Sequence, residues 1–90
     1  MVFSEFGRRV KENNSMGTDH GKGNNLILLG NRLQNQGFFN DAANLSRLDA
    51  GDVGYAYDFR QIYASVLEDW LKVDSKKVLK ADYQTLNLFS

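Results

Sequence analysis

The residues with the clearest capacity for chemistry lie between Ser4 and Gly21. Ser4-Glu5-Phe6-Gly7-Arg8 is followed, after a polar stretch, by Gly17-Thr18-Asp19-His20-Gly21, which carries the only histidine of the chain. Imidazole and carboxylate oxygens suit Zn²⁺, Mn²⁺ or a related divalent ion. Glu5, Asp19 and His20 therefore form a candidate ligand set drawn from two segments. The plainer alternative is an exposed loop histidine beside a hydrogen-bonding aspartate, and residue types alone leave both open. Arg8 opens the basic knot Arg8, Arg9 and Lys11. A guanidinium there matches the planar geometry of phosphate or sulfate, which makes Arg8 an anion-binding candidate beside a solvated-surface reading.

Other chemistries fit less well. Gly21-Lys22-Gly23 lacks the earlier spaced glycine and the following Ser or Thr of a phosphate-binding loop. Ser15 or Ser46 could be combined with His20 and an aspartate, but no nucleophile elbow surrounds either serine. The chain has no cysteine, which excludes disulfides, thiolate ligands and a cysteine nucleophile together.

These groups need elements to hold them. Met1 to Ser4 is a short apolar run bounded by Gly7 and reads as a buried strand, with Glu5 leaving its carboxyl end, where ligands gather in open α/β sheets. Arg8 to Asn14 reads as a helical turn, and Met16 to Asn25, rich in glycine and asparagine, as a site loop. Leu26 to Leu29, closed by Gly30, is expected to be a strand buried on both faces. Asn31 to Asp41 could form a ragged hairpin around Gln36-Gly37. Ala42 to Tyr57 shows no lasting period and reads as an irregular connection with one helical turn near Ala43 to Leu48.

The strongest local signal is Phe59 to Lys72. Asp58 with Gln61 three residues later has the form of a capping box, and Phe59, Ile62, Tyr63, Val66, Leu67, Trp70 and Leu71 fall on one helical stripe. Asp74 or Ser75 can cap a second short helix through Lys80. Thr85 to Phe89 alternates like a half-buried strand. The expected fold is a small α/β unit of about three strands, near Met1–Glu5, Leu26–Gly30 and Thr85–Phe89, with the Phe59–Lys72 helix packed across them.

Ninety residues, 42% of them apolar, fit residues 1–90 as one small unit with a modest core. Eleven basic and eleven acidic residues cancel, so the electrostatic footprint of a dedicated nucleic-acid binder is absent. No apolar run is long enough for a membrane span.

The order of three motifs resembles a known family. Val2-Phe3-Ser4-Glu5-Phe6-Gly7-Arg8, then Gly17-Thr18-Asp19-His20-Gly21 with its apolar strand to Gly30, then Asp58-Phe59-Arg60-Gln61-Ile62-Tyr63 through Leu67-Glu68-Asp69-Trp70-Leu71, is similar to the bacterial sulfatase-like family called domain of unknown function 1501. The resemblance covers nearly the whole chain. It implies the carboxy-terminal part of an alkaline-phosphatase-like α/β domain, from a parent that is a metal-dependent phosphoric or sulfuric ester hydrolase and that could be secreted or periplasmic. A divalent metal (Zn, Mn or Ca) is the implied cofactor, and a small phosphate or sulfate ester the implied substrate. In that superfamily a strand commonly ends in Asp-His-Gly. Glu5 would match the Asp ligand, whereas Phe6 stands in the place of the His and carries no ligand atom. Thr18-Asp19-His20 looks like the later motif in its phosphopentomutase form, which makes His20 the leading ligand candidate.

The family's Ser, Thr or modified Cys nucleophile lies upstream of these motifs. The expectation is therefore a carboxy-terminal fragment that is inactive alone, has the remainder of its own domain as partner, and self-associates through uncovered apolar surface. The alternative is a noncatalytic binding or structural relative on the same fold.

Overall fold

A computed structural model describes residues 1–90. It is a mixed arrangement of short antiparallel strand pairs and two helices, divided into two compact units: residues 1–29 with 40–56, and residues 30–39 with 57–90.

The first unit holds six strands in three two-stranded ribbons. β1 (Val2–Phe3) pairs antiparallel with β4 (Leu26–Ile27), Val2 opposite Ile27 and Phe3 opposite Leu26. β2 (Gly7–Glu12) and β3 (Thr18–Gly21) form a hairpin with Gly7 opposite Gly21, Arg8 opposite His20 and Glu12 opposite Thr18, and an irregularity between the last two pairs. β5 (Leu48–Asp49) and β6 (Asp52–Val53) form the third ribbon.

Each turn follows from its residues. In the β2/β3 turn, Asn13 Oδ1 accepts from the amides of Ser15 at 2.9 Å and Gly17 at 3.0 Å, and the Asn13 amide donates to the Gly17 carbonyl at 2.7 Å. One asparagine side chain thus replaces a backbone turn, and Met16 closes it in the left-handed region at φ 60°. The β5/β6 ribbon turns through Ala50 and Gly51, at φ 50° and 87°. Positive φ at both central residues is the two-residue hairpin geometry that suits the right-handed twist of strands. The Arg9 guanidinium donates to the Ala50 carbonyl and lies 3.5 Å from the Asp52 carboxylate, while Lys22 pairs with Asp49. Gly23 permits a close approach in the same region, since a Cβ there would lie 2.5 Å from the Val53 carbonyl oxygen.

The second unit is built on α1 (Phe59–Ser65). Its capping box is present: Asp58 Oδ1 accepts from the Arg60 amide at 2.9 Å and Gln61 Oε1 from the Asp58 amide at 3.2 Å. The helix continues as a π-helical turn over Val66–Trp70, and Lys72 at φ 57° ends it. The span expected from the sequence is thus helical almost to its end, with a change of winding at Val66. α2 (Ser75–Leu79) follows, capped by Asp74, whose side chain accepts from the Lys76 amide at 3.0 Å.

Ser65 ties the tail to this helix. Its hydroxyl donates to the Gln61 carbonyl and accepts from the Leu86 amide, both at 2.7 Å. Farther on, the Gln34 amide donates to the Leu88 carbonyl at 2.8 Å, and Leu33 bridges Phe89. Trp70 packs on Phe89 at 5.8 Å between ring centroids, and the Arg32 guanidinium lies over the Trp70 ring, 5.2 Å from its centroid.

Several elements differ from the sequence expectation. Residues 8–12 form a strand rather than a helical turn, because the Asn13 turn returns the chain onto them as a hairpin. Leu26–Leu29 is not buried on both faces: Ile27 is 53% and Leu29 82% exposed. Thr85–Phe89 contributes one bridge rather than a strand, and the strands form three separate ribbons rather than one sheet. Leu48–Val53 forms a hairpin where an irregular connection was expected. The only buried apolar side chains are Ala64 and Leu88, and both belong to the second unit.

Candidate functional site

The β2/β3 hairpin carries three of the four candidate residues, because its turn brings Thr18–Gly21 back alongside Gly7–Glu12. Arg8 and His20 face each other across the ribbon. Directly opposed residues project from the same face of an antiparallel pair. An imidazole and a guanidinium therefore stand side by side on an exposed surface.

Phe6 completes this cluster. Its ring stacks on the His20 imidazole with centroids 3.6 Å apart and planes 16° from parallel, and the Arg8 guanidinium lies 5.1 Å from the Phe6 centroid. Arg8 Nη1 also donates to the Thr18 carbonyl at 2.6 Å. That bond restrains the arginine along the ribbon and leaves its remaining donors available for an anion.

Asp19 lies elsewhere. Neighbouring residues of a strand project to opposite faces, so Asp19 and His20 diverge where a loop could have brought both to one ion. Asp19 Oδ1 instead accepts from Asn13 Nδ2 at 3.1 Å, which fastens the carboxylate to the hairpin turn. Glu5 sits exposed at the bend between β1 and β2. No group of three or more His, Cys, Asp or Glu side chains is arranged to hold a metal ion. The candidate ligands do not fit a bound Zn, Mn or Ca ion as this chain arranges them, and the hairpin chemistry is that of Arg8 and His20.

Two contributors escape a reading by residue type. Phe6 supplies no ligand atom, so its role as the stacking partner of His20 becomes visible only with the strand register. Asn13 holds both the turn and Asp19; its signal is the Asn-x-Ser-x-Gly spacing, which suits an asparagine-capped turn.

Three charged groups elsewhere in the chain have shifted ionisation. Lys22 is raised above the ordinary lysine value, first by its hydrogen bond to Asp49. Asp58 is held below the ordinary carboxylate value by its hydrogen bond to the Arg60 side chain, and Arg60 is raised by the same bond. Asp58 accepts from Arg60 Nε at 2.9 Å and from Nη2 at 2.6 Å. Arg60 also lies 4.8 Å from the Tyr83 ring centroid and 5.6 Å from that of Phe59. This guanidinium is occupied in structure, whereas Arg8 retains capacity for a ligand.

No helix is long and apolar enough to cross a membrane. Comparison with protein-family models, with curated proteins and with solved structures finds no match for the chain.

Proposed function

We propose that this chain forms one wall of the anion-binding site of a sulfatase-like, alkaline-phosphatase-type ester hydrolase, completed by the remainder of its domain and inactive alone. The carrying observation is the opposed pair Arg8 and His20 on one exposed hairpin face. Arg8 offers a forked donor set to a phosphoryl or sulfuryl oxygen. His20 offers one ring nitrogen as a donor or acceptor beside it. The motif order Glu5-Phe6-Gly7-Arg8, Thr18-Asp19-His20-Gly21 and Asp58–Leu71 supports the same reading through its family resemblance. This chain gathers no set of metal ligands by itself, so the reading assigns it the anion contact of Arg8 and His20.

The test compares the chain with a polypeptide completed by the remainder of the domain, using aryl phosphate and aryl sulfate esters with Zn²⁺, Mn²⁺ or Ca²⁺. The chain alone is expected to give no turnover. The completed protein should hydrolyse one ester class, with Arg8→Ala raising KM more than it lowers kcat. Absence of hydrolysis with every ion and both ester classes would refute the reading.

The Phe6–His20 stack favours a second reading, a noncatalytic relative that binds an anion. An imidazole whose face is covered by phenylalanine is oriented as a recognition group without needing a metal. Retained sulfate or phosphate binding in the completed protein, without turnover and without bound metal, distinguishes this reading from the first.

A further inference from the structure

Asparagine followed two residues later by serine, with any residue but proline between them, is the acceptor pattern for N-linked sugars. The chain holds it twice, as Asn13-Asn14-Ser15 and Asn44-Leu45-Ser46. In both, the asparagine Oδ1 accepts from the amide of that serine, at 2.9 Å for Ser15 and 3.0 Å for Ser46. The two side chains differ in what else they hold. Asn13 is half-buried in the β2/β3 turn, its Oδ1 also accepts from the Gly17 amide, and its Nδ2 donates to the Asp19 carboxylate at 3.1 Å. Asn44 lies where the chain is neither strand nor helix, and Asn44, Leu45 and Ser46 are all exposed. The Arg47 amide closes the local turn on the Asn44 carbonyl at 3.2 Å. Of the Asn44 side chain only Oδ1 is engaged, so Nδ2 and the Ser46 hydroxyl are both free.

That difference matters for reactivity. An amide nitrogen shares its lone pair with the carbonyl and is a poor nucleophile. It reacts only when an enzyme takes hold of its N–H groups and removes a proton from it. Asn44 offers both N–H groups at once. Asn13 must first break a charge-assisted bond to Asp19, and its Oδ1 is the centre of the hairpin turn. The same three-residue pattern is therefore open at one site and locked at the other.

We propose that Asn44 is an N-glycosylation acceptor and that Asn13 is spared by its place in the hairpin. The donor is a sugar diphosphate, carried on a nucleoside or on a lipid, and the chemistry is the same for both carriers. Asn44 Nδ2 attacks the anomeric carbon of the sugar. The bond from that carbon to the diphosphate oxygen breaks, its electron pair leaves on the diphosphate, and one Nδ2 proton passes to a base of the transferase. The Ser46 hydroxyl is the group by which the transferase recognises the site. The inference concerns residues 44–46 alone and stands or falls independently of ester hydrolysis.

The test incubates the purified 90-residue chain in two arms and maps the products by tandem mass spectrometry. One arm supplies UDP-glucose with a soluble glucosyltransferase that reads the Asn-x-Ser pattern. The other supplies a lipid-diphosphate-linked oligosaccharide with a membrane oligosaccharyltransferase. A single addition at Asn44 is expected in at least one arm, and the arm that gives it identifies the carrier. Asn13 should react about tenfold more slowly or less, the ratio set by the one hydrogen bond that must open first. Ser46→Ala should abolish the addition and Ser46→Thr should retain it, which separates loss of the hydroxyl from loss of the fold. No addition at Asn44 in either arm, addition at Asn13 as fast as at Asn44, or full addition in Ser46→Ala would overturn the proposal.

Discussion

Replacing Ser65 with Ala tests how the second unit is held together. Ser65 is fully buried, and its hydroxyl donates to Gln61 while accepting from the Leu86 amide. The substitution removes one net hydrogen bond, about 1 kcal/mol, and leaves a partly buried amide without its acceptor, which costs about 1–3 kcal/mol when water does not reach it. Leu86 is only half-buried, so water recovers part of that cost and the expected total is about 2 kcal/mol. Urea denaturation should show the loss as a lower midpoint, and exchange of the Leu86 amide should quicken about thirtyfold, the ratio that corresponds to 2 kcal/mol. The neighbouring exposed change Gln84→Ala serves as reference. A shift below about 0.5 kcal/mol, within the range of ordinary surface substitutions, would refute the reasoning that one hydroxyl fastens the tail.

Four further outcomes follow from the same geometry. Asp58 has its folded-state value depressed below 3.8 by Arg60, so its stabilisation is present above that unfolded value and lost as pH falls through the folded one. Helical circular dichroism should therefore hold from neutral pH down to about the carboxylate range and fall below it, and Asp58→Asn should flatten this acid-dependent change. Gly23→Ala should loosen the first unit, because its Cβ would meet the Val53 carbonyl, whereas Gly54→Ala has nothing within 4 Å and should be near neutral by thermal denaturation. Asp74→Ala should cost about 1 kcal/mol through loss of the α2 cap, measurable in urea. Titration of the isolated chain with Zn²⁺ by calorimetry should show no stoichiometric site, since Asp19 and His20 diverge; tight one-to-one binding lost in His20→Ala would refute that geometry.

Local chemistry was the legible part of the sequence. The Asp58/Gln61 box and the Asp74 cap are set by residues a few positions apart, and both helices begin where those signals stand. The apolar stripe of the main helix was legible as a pattern but not as burial: Phe59, Trp70 and Leu71 remain exposed, because only a partner surface decides whether a stripe is covered. Leu26–Leu29 makes the same point for a strand. The hairpin is not legible in the sequence, since Arg8–Asn14 has neither a clear period nor a glycine-led turn and its return depends on the Asn13 side chain. At the site, Arg8 and His20 were identifiable by type, yet their opposition depends on register. The separation of Asp19 from His20 depends on their lying in a strand, which glycine-rich composition disguised as a loop.

The π-helical turn at Val66–Trp70 has a consequence for how the segment can drift. Each of its hydrogen bonds spans one residue more than an α-turn, as in the bond from the Leu71 amide to the Val66 carbonyl at 2.9 Å. The segment thus stores the equivalent of a one-residue insertion without breaking the helix. Deleting one residue there would restore ordinary winding and leave Trp70 on nearly the same side of the axis, beside Phe89 and Arg32, so the segment absorbs a one-residue change of length that an α-turn would pass on to the tail contact.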